Sequence, residues 1–280
     1  MRLFVAALVL GTALVSLAPG ASARVLVPMD LKQTDHLKAY GLAFKVLKRG
    51  QTLSWLLNYR GGSFLIPTNS YAEVEARMMG VTLEQVSAAD VAEIRRRIGN
   101  SNMDEVLLEV PPRIAIYAPP NFQPWDDAVS LALEYAEIDF DTIFDPEVLA
   151  GGLAAYDWVH LHHEDFTGQY GKFYFNFGRT AWYQEQQRLF EEMATRLRYP
   201  TVREMKGAVA LAIKEYVVGG GFLFAMCSAT DTFDIALADP PYGLGAASRL
   251  VEEFRRRPFA ELQVEAVLAS VPTPGPVDGT

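Results

Sequence analysis

Apolar and polar positions along residues 24–112 form short blocks that predict strands and helices in turn. Segments whose apolar side chains recur every three to four residues predict helices, and short continuous apolar runs predict strands. Ser70 with Glu73 and Ser87 with Asp90 have the spacing of capping boxes, which predicts that a helix begins at each pair. The apolar runs in this N-terminal α/β portion lie at 25–29, 53–57 and 64–66.

A second cycle of the same kind occupies residues 113–238. Predicted strands lie at 113–117, 140–144, 158–162 and 222–226, and predicted helical segments lie at 125–136, 146–153, 181–197 and 202–218. Strands that alternate with helices are typical of a parallel sheet covered on both faces. The expected fold class is therefore α/β, with a mainly parallel sheet and helices on both faces.

The two ends of the chain differ from these central portions. Residues 1–23 have a basic Arg2, an apolar run at 3–17 and the small triplet Ala21-Ser22-Ala23, which is the order of a secretory signal peptide. The apolar run is shorter than the roughly 20 residues that span a bilayer, although a retained anchor is the alternative. We expect an exported protein, periplasmic or extracellular, without membrane attachment after cleavage.

The tail at residues 239–280 is rich in proline and carries a basic cluster at 255–257. One amphipathic helix at about 247–256 is predicted, and the last ten residues have the composition of a disordered segment. The tail is therefore expected to be atypical and partly disordered.

Composition and net charge limit the classes of binding partner that are expected. Half of the residues are apolar, which is typical of a globular protein, and the formal net charge is −9. Nucleic-acid binding depends on basic patches that neutralise phosphates, so no nucleic-acid partner is expected. Protein partners are left open by the sequence. The single cysteine, Cys227, cannot form an intrachain disulfide, and a lone thiol in an exported chain is either buried and inert or exposed and reactive.

Cys227 lies where the strand predicted at 222–226 meets a following helix. Ala225 and Ala229 flank it two positions away on either side, as the sharp turn of a nucleophile elbow requires. A helix N-terminus favours a thiolate, and the backbone N–H of Ser228 would be an oxyanion donor. The alternative is a buried cysteine, with Ser228 or Thr230 as a helix cap.

A cluster of polar side chains follows the strand predicted at 158–162. Ligand sites in open α/β sheets form at this carboxyl end of the strands. The candidate ligands for a divalent metal are His160, His162, His163 and Asp165, and no other cofactor is expected. A polar edge that is hydrogen-bonded without metal is the alternative.

The same cluster also offers catalytic groups. If the strand that ends near His162 lies beside the elbow strand, His162 or His163 could approach Cys227 and act as its base, with Glu164 as a further candidate catalytic residue. Gly168 and Tyr170 lie in the aromatic loop that follows and are candidate contacts for a small polar or carbohydrate-like ligand. Packing of that loop onto the core is the alternative.

Residues 219–229, G-G-G-F-L-F-A-M-C-S-A, together with the order of the predicted strands, resemble the class I glutamine amidotransferase-like superfamily. The run 25–238 is similar to exported bacterial proteins labelled asparagine synthetase B. The motifs shared with those proteins are H-L-K-A-Y-G, N-Y-R-G-G-S-F, Q-P-W-D-D-A and H-L-H-H-E-D-F-T-G-Q-Y-G-K-F. The resemblance implies a flavodoxin-like sheet with a nucleophile elbow, and Cys227 as the nucleophile.

The chain also departs from that pattern. The amidotransferase pattern implies a histidine downstream of the nucleophile, and this chain has none after His163. Neither a P-loop G-x-x-x-x-G-K-S/T nor a synthetase domain is found, and the unusual tail suggests a truncated or frameshifted reading. The expectation is a cysteine-dependent amide hydrolase or ligand-binding domain with an incomplete triad. A noncatalytic binding or assembly module and a metal-dependent hydrolase centred on residues 160–165 are the alternatives.

Overall fold

The computed structural model describes residues 24–68, 70–121, 127–168 and 174–238. The predicted signal peptide at 1–23, the tail at 239–280 and Tyr170 lie outside these residues. The chain divides into two compact units, the first reaching Pro111 and including Tyr135–Glu137, the second formed by Pro112–Glu134 and the chain from Ile138. Within the described residues, no helix has both the length and the apolar character that crossing a membrane demands.

The first unit contains a five-stranded antiparallel sheet in the order β4-β1-β3-β2-β5. Its elements are β1 (Arg24–Val27), α1 (His36–Lys48), β2 (Leu53–Leu57), β3 (Phe64–Pro67), α2 (Ser70–Met79), β4 (Glu84–Val86), α3 (Ala88–Gly99) and β5 (Asp104–Leu108).

Helices lie on both faces of this sheet, and alternating side chains of β1 contact one group of helices or the other. Val25 and Val27 pack in a buried cluster with α1 and α2, whereas Leu26 packs in a second cluster with α3. The capping box predicted at Ser87 and Asp90 is present at the start of α3, where each residue accepts a hydrogen bond from the other's backbone N–H.

The expectation of a mainly parallel sheet is wrong for this unit. The sequence E-Q-V of β4 is mostly polar, and D-E-V-L-L of β5 begins with two acidic residues and is partly exposed, so neither segment is among the strands predicted above. β5 pairs antiparallel with β2 and β4 pairs antiparallel with β1. The two edge strands that were not predicted, β4 and β5, therefore complete a separate antiparallel sheet.

The second unit contains a four-stranded sheet in which every neighbouring pair is parallel, in the order β7-β6-β8-β9. Its elements are β6 (Ile114–Tyr117), α4 (Ala128–Ala136), β7 (Asp141–Ile143), α5 (Asp145–Leu149), β8 (Trp158–Leu161), α6 (Tyr174–Phe177), α7 (Ala181–Arg196), α8 (Val202–Val218), β9 (Phe222–Ala225) and α9 (Ser228–Ala238). The parallel sheet predicted for 113–238 is confirmed here.

Helices cover both faces of this second sheet. Ile114 and Ile116 pack on the side of α4, whereas Ala115 and Tyr117 pack with residues of α5, α7, α8 and α9. The same alternation along β8 directs Trp158 towards the α4 side and Val159 and Leu161 towards the other. His160 and the next even-numbered residue, His162, are accordingly directed to the side on which α4 begins.

A buried charged group lies among the aromatic side chains of this unit. Lys206 of α8 is 1% exposed, and its Nζ donates hydrogen bonds to Tyr117 Oη at 2.8 Å and to Asp145 Oδ1 at 2.9 Å. The same Nζ lies 4.2 Å from the centre of the Phe144 ring. Burial and the adjacent Asp145 carboxylate raise the pKa of Tyr117 well above its ordinary value, so its hydroxyl remains protonated and donates to Asp145.

Replacing Lys206 by methionine should lower the free energy of unfolding by about 3–5 kcal/mol, because Asp145 then remains as a buried charge without its cation. Urea unfolding measures this loss. Lys214→Met is the matched control, since Lys214 lies on the same helix and is exposed. The double variant Lys206→Met with Asp145→Asn should recover most of the loss, whereas additive losses would contradict a coupled pair.

Candidate functional site

The candidate site lies at the carboxyl ends of β8 and β9. These strands are parallel neighbours, with Leu161 opposite Ala225 at their last paired positions. The segment beginning at His162 and the segment that carries Cys227 therefore leave the sheet at the same edge, where ligand sites of parallel sheets form. The pairing continues one residue further, since the Met226 N–H donates to the Leu161 carbonyl at 2.9 Å.

Three hydrogen bonds to carbonyls of consecutive residues attach the histidine segment, residues 162–164, to the first five residues of α9. The backbone N–H of Ala229, the hydroxyl of Ser228 and the hydroxyl of Thr232 donate, in that order, to the carbonyl oxygens of residues 162, 163 and 164. Their lengths are 3.0, 2.8 and 2.7 Å. The position of the histidine segment is therefore set by the start of the helix that follows Cys227.

Cys227 occupies the junction between β9 and α9 in a left-handed backbone conformation, with φ at +52°. Residues other than glycine adopt this conformation infrequently, and it is concentrated at functional sites. The side chain is exposed, which excludes the alternative of a buried, inert thiol. Ser228 and Thr230 do not cap α9, because their hydroxyls donate to the carbonyls of His163 and Cys227.

Two imidazoles converge on this thiol. One potential ligand atom from each of His162, His163 and Cys227 lies within 4.8 Å of the others. The rings of His162 and His163 are in contact, with centroids 3.6 Å apart. His163 is exposed, and the His162 side chain is 16% exposed. The structure thus brings together three of the side chains singled out from the sequence.

Asp127 lies behind His162 and was not singled out as a site residue, although it belongs to the motif Q-P-W-D-D-A. Its Oδ1 lies 3.5 Å from His162 Nδ1 and 3.3 Å from His160 Nε2, and its side chain is 1% exposed. It immediately precedes α4 and accepts hydrogen bonds from Ser130 Oγ at 2.6 Å and from the Val129 N–H at 2.9 Å. An Asp two or three residues before those donors is typical of a helix N-cap, the one signal in the sequence that could have identified it.

Asp127 is ionised despite its burial. Burial raises the pKa of its carboxyl, but the hydrogen bonds from Ser130 and Val129 and the neighbouring imidazoles of His160 and His162 lower it, and the pKa lies below its ordinary value. A buried carboxylate beside two imidazoles fixes their orientation and stabilises a positive charge on either ring.

His160 and Asp165 do not join the cluster around Cys227. His160 is fully buried, its Nδ1 lies 2.9 Å from the Phe224 carbonyl oxygen, and its Nε2 is directed to Asp127. Asp165 accepts hydrogen bonds through Oδ1 from the backbone and the hydroxyl of Thr167. Of the four predicted metal ligands, only the two imidazoles of residues 162 and 163 therefore lie together.

Glu164 stabilises its own loop and lies outside the cluster of imidazoles and thiol. Its Oε2 accepts a hydrogen bond from the His162 N–H at 2.8 Å. Burial raises the pKa of Glu164 to about 7, although that hydrogen bond and the positive charge of Lys206 act in the opposite direction. The carboxyl therefore changes charge near neutral pH, within the segment that carries both imidazoles.

Gly168 has a packing role in the structure. Its φ is +65°, and an added Cβ would lie 2.4 Å from the Cα of Arg203 at the start of α8. The backbone of the loop can approach the helix this closely only without a side chain. The ligand contact predicted for Tyr170 falls outside the described residues.

Comparison with known proteins leaves the chain without an assigned family. No family model matches it, and no curated protein or solved structure is significantly similar to it. The geometry of the site is therefore the basis on which a function is inferred.

The raised pKa of Glu164 makes the stability of the protein depend on pH. Because the native state holds this proton more tightly than the unfolded state, the contribution is complete below pH 4.5 and is lost as the pH rises through 7. The loss is on the order of 3 kcal/mol. Glu164→Gln should remove most of this decline between pH 5 and 8 in urea unfolding. The exposed Glu134→Gln is the control, and an unchanged decline in Glu164→Gln would contradict the assignment.

Proposed function

We propose that this chain is a cysteine-dependent hydrolase of the amidotransferase-like type, with Cys227 as the nucleophile, His162 as the base and Asp127 as the orienting acid. The observation that supports the proposal is that the thiol, the imidazole and the carboxylate lie next to one another in space, in that order. The thiol and an imidazole nitrogen lie within 4.8 Å, and the carboxylate lies 3.5 Å from the buried Nδ1 of the same imidazole.

Whether Cys227 can act as a nucleophile depends on the protonation state of its thiol. A free thiol is mostly protonated at neutral pH, so a nucleophilic cysteine needs an adjacent base whose ring is held in position by a third group. Asp127 lies 3.5 Å from Nδ1 of His162, and the proposal assigns Nε2 to the thiol, which is the division of roles in nucleophile, base and acid triads. Such contacts are commonly longer in unliganded enzymes than in substrate complexes.

The backbone around Cys227 also supports the proposal. A left-handed nucleophile between a parallel strand and a helix, flanked by Ala225 and Ala229, has the features of a nucleophile elbow. The strand order β7-β6-β8-β9 is that of the first four strands of a flavodoxin-like sheet. Both features agree with the resemblance to class I glutamine amidotransferases, with the base supplied from the end of β8 in place of the downstream histidine.

The chemistry that this arrangement supports is amide hydrolysis in two steps. The Cys227 thiolate attacks the amide carbonyl, and the backbone N–H of Ser228 donates to the developing oxyanion. The amine leaves with the proton held by His162, and a thioester remains on Cys227. Water, deprotonated by the same imidazole, then hydrolyses the thioester and restores the thiol. A small polar amide is the substrate class proposed.

The metal-dependent hydrolase predicted as an alternative has less support. Two of its four ligands, His160 and Asp165, face Asp127, the Phe224 carbonyl and Thr167. The noncatalytic binding module differs from the hydrolase in one measurable property, which is the reactivity of the thiol.

Alkylation of Cys227 by iodoacetamide at pH 7, followed by mass spectrometry, tests the proposal. Because the chain has one cysteine, the rate reports this site alone. We expect the parent protein to react about tenfold or more faster than free cysteine. His162→Ala and Asp127→Asn should reduce the rate to that of free cysteine, and His36→Ala, in the first unit, should leave it unchanged.

One outcome of the alkylation experiment would contradict the proposal. A parent protein that reacts no faster than free cysteine would refute the catalytic assignment and favour the noncatalytic module. Circular dichroism of each variant checks that the fold is retained, which matters most for the buried Asp127. Release of ammonia from L-glutamine then distinguishes a glutaminase from a hydrolase of another amide.

A further inference from the structure

We infer that His162, His163 and Cys227 form a binding site for one divalent cation of the zinc class. The inference goes beyond the proposed hydrolase and rests on the geometry of the three side chains, whether or not they catalyse a reaction. Within the described residues, this is the group of histidine, cysteine and acidic side chains whose ligand atoms lie together, within 4.8 Å of one another.

The distances between the three potential ligand atoms are about 1 Å longer than the distances between ligand atoms around a bound zinc ion. Zn–S and Zn–N bonds of about 2.3 and 2.1 Å in a tetrahedral site place the ligand atoms about 3.4–3.6 Å apart. The three atoms must therefore approach by about 1 Å. Cys227 and His163 are exposed, so rotation of their side chains can supply this movement without disturbing the core.

The surroundings of His162 provide the second observation. Its Nδ1 is buried and lies 3.5 Å from the Asp127 carboxylate, within ion-pair distance. Histidines that bind metals generally have a carboxylate or carbonyl beside the ring nitrogen that does not bind the metal, and such a neighbour orients the ring and increases its basicity. With Nδ1 on the side of Asp127, Nε2 is the nitrogen assigned to the cation. The hydrogen bonds from α9 to the carbonyls of residues 162–164 hold the backbone of both histidines in place before metal arrives.

The donor set determines the class of cation. One thiolate and two imidazoles suit Zn²⁺ and Co²⁺, whereas Mg²⁺ and Ca²⁺ require oxygen ligands. Three protein ligands leave a fourth position for water. A cation bound to Cys227 Sγ shares the sulfur electron pair that would otherwise attack an electrophile. Metal binding and alkylation of the thiol therefore compete with each other.

Titration of the purified, metal-free chain with Co²⁺ tests this site directly. We expect one Co²⁺ per chain with a thiolate-to-cobalt charge-transfer band, and displacement by Zn²⁺. Cys227→Ser should abolish the band, and His163→Ala should weaken binding at least tenfold. Both residues are exposed, so these variants are expected to fold, and thermal unfolding checks this. His36→Ala is the control and should bind as the parent does.

The inference is overturned if Co²⁺ does not bind with a thiolate band, if Cys227→Ser retains that band, or if Mg²⁺ competes as well as Zn²⁺. The same preparation separates this result from the proposed hydrolase. Fast alkylation of metal-free protein without Co²⁺ binding would refute the metal site and leave the hydrolase standing. Co²⁺ binding with alkylation no faster than that of free cysteine would do the reverse.

Discussion

The attachment of the histidine segment to the first turn of α9 is the constraint on which the site depends. Two parallel strands, β8 and β9, end at the same level, and three hydrogen bonds then join the segments that follow them. Without these bonds the imidazoles would belong to a surface loop, and surface loops are more mobile than the helices and strands they connect. With them, the thiol and both rings are carried by one continuous piece of hydrogen-bonded backbone.

Buried charge gives this edge of the sheet its chemical character. Asp127 is a buried carboxylate within 3.3–3.5 Å of two imidazoles, and Lys206 with Asp145 forms a buried pair at the ends of the neighbouring strands. Charges are placed in a protein interior at a cost unless they are paired. Here each of these buried charges has a partner, and the one directed to the imidazoles, Asp127, is the orienting acid of the proposed hydrolase.

The sequence predicted the second unit well, because its strands are short apolar runs separated by strongly periodic helices. It failed for β4, which is mostly polar, and for β5, in which two acidic residues precede exposed apolar ones, and an antiparallel sheet was therefore not expected. Cys227 and the pair His162 and His163 could be identified because a strand and a helix visibly meet at the cysteine and imidazoles are rare in this chain, which has four histidines.

Asp127, the acid of the proposed triad, could not be identified from the sequence in the same way. It lies 35 residues from His162 in the chain, and only the placement of α4 against the face of β8 that carries His160 brings the two together. The predicted metal ligands His160 and Asp165 lie outside the cluster around Cys227 for a related reason. Spacing along a strand end fixes which face a residue takes, but the depth of burial, which separates His160 from the thiol, depends on tertiary packing.

The central claim is that the hydrogen bonds between α9 and the histidine segment hold the imidazoles at the thiol. The most direct measurement is the iodoacetamide reaction rate of the double variant Ser228→Ala with Thr232→Val, which removes two of the three bonds and leaves Asp127, both imidazoles and Cys227 in place. We expect the rate to fall towards that of free cysteine while the protein remains folded. A folded double variant that reacts as fast as the parent would contradict it.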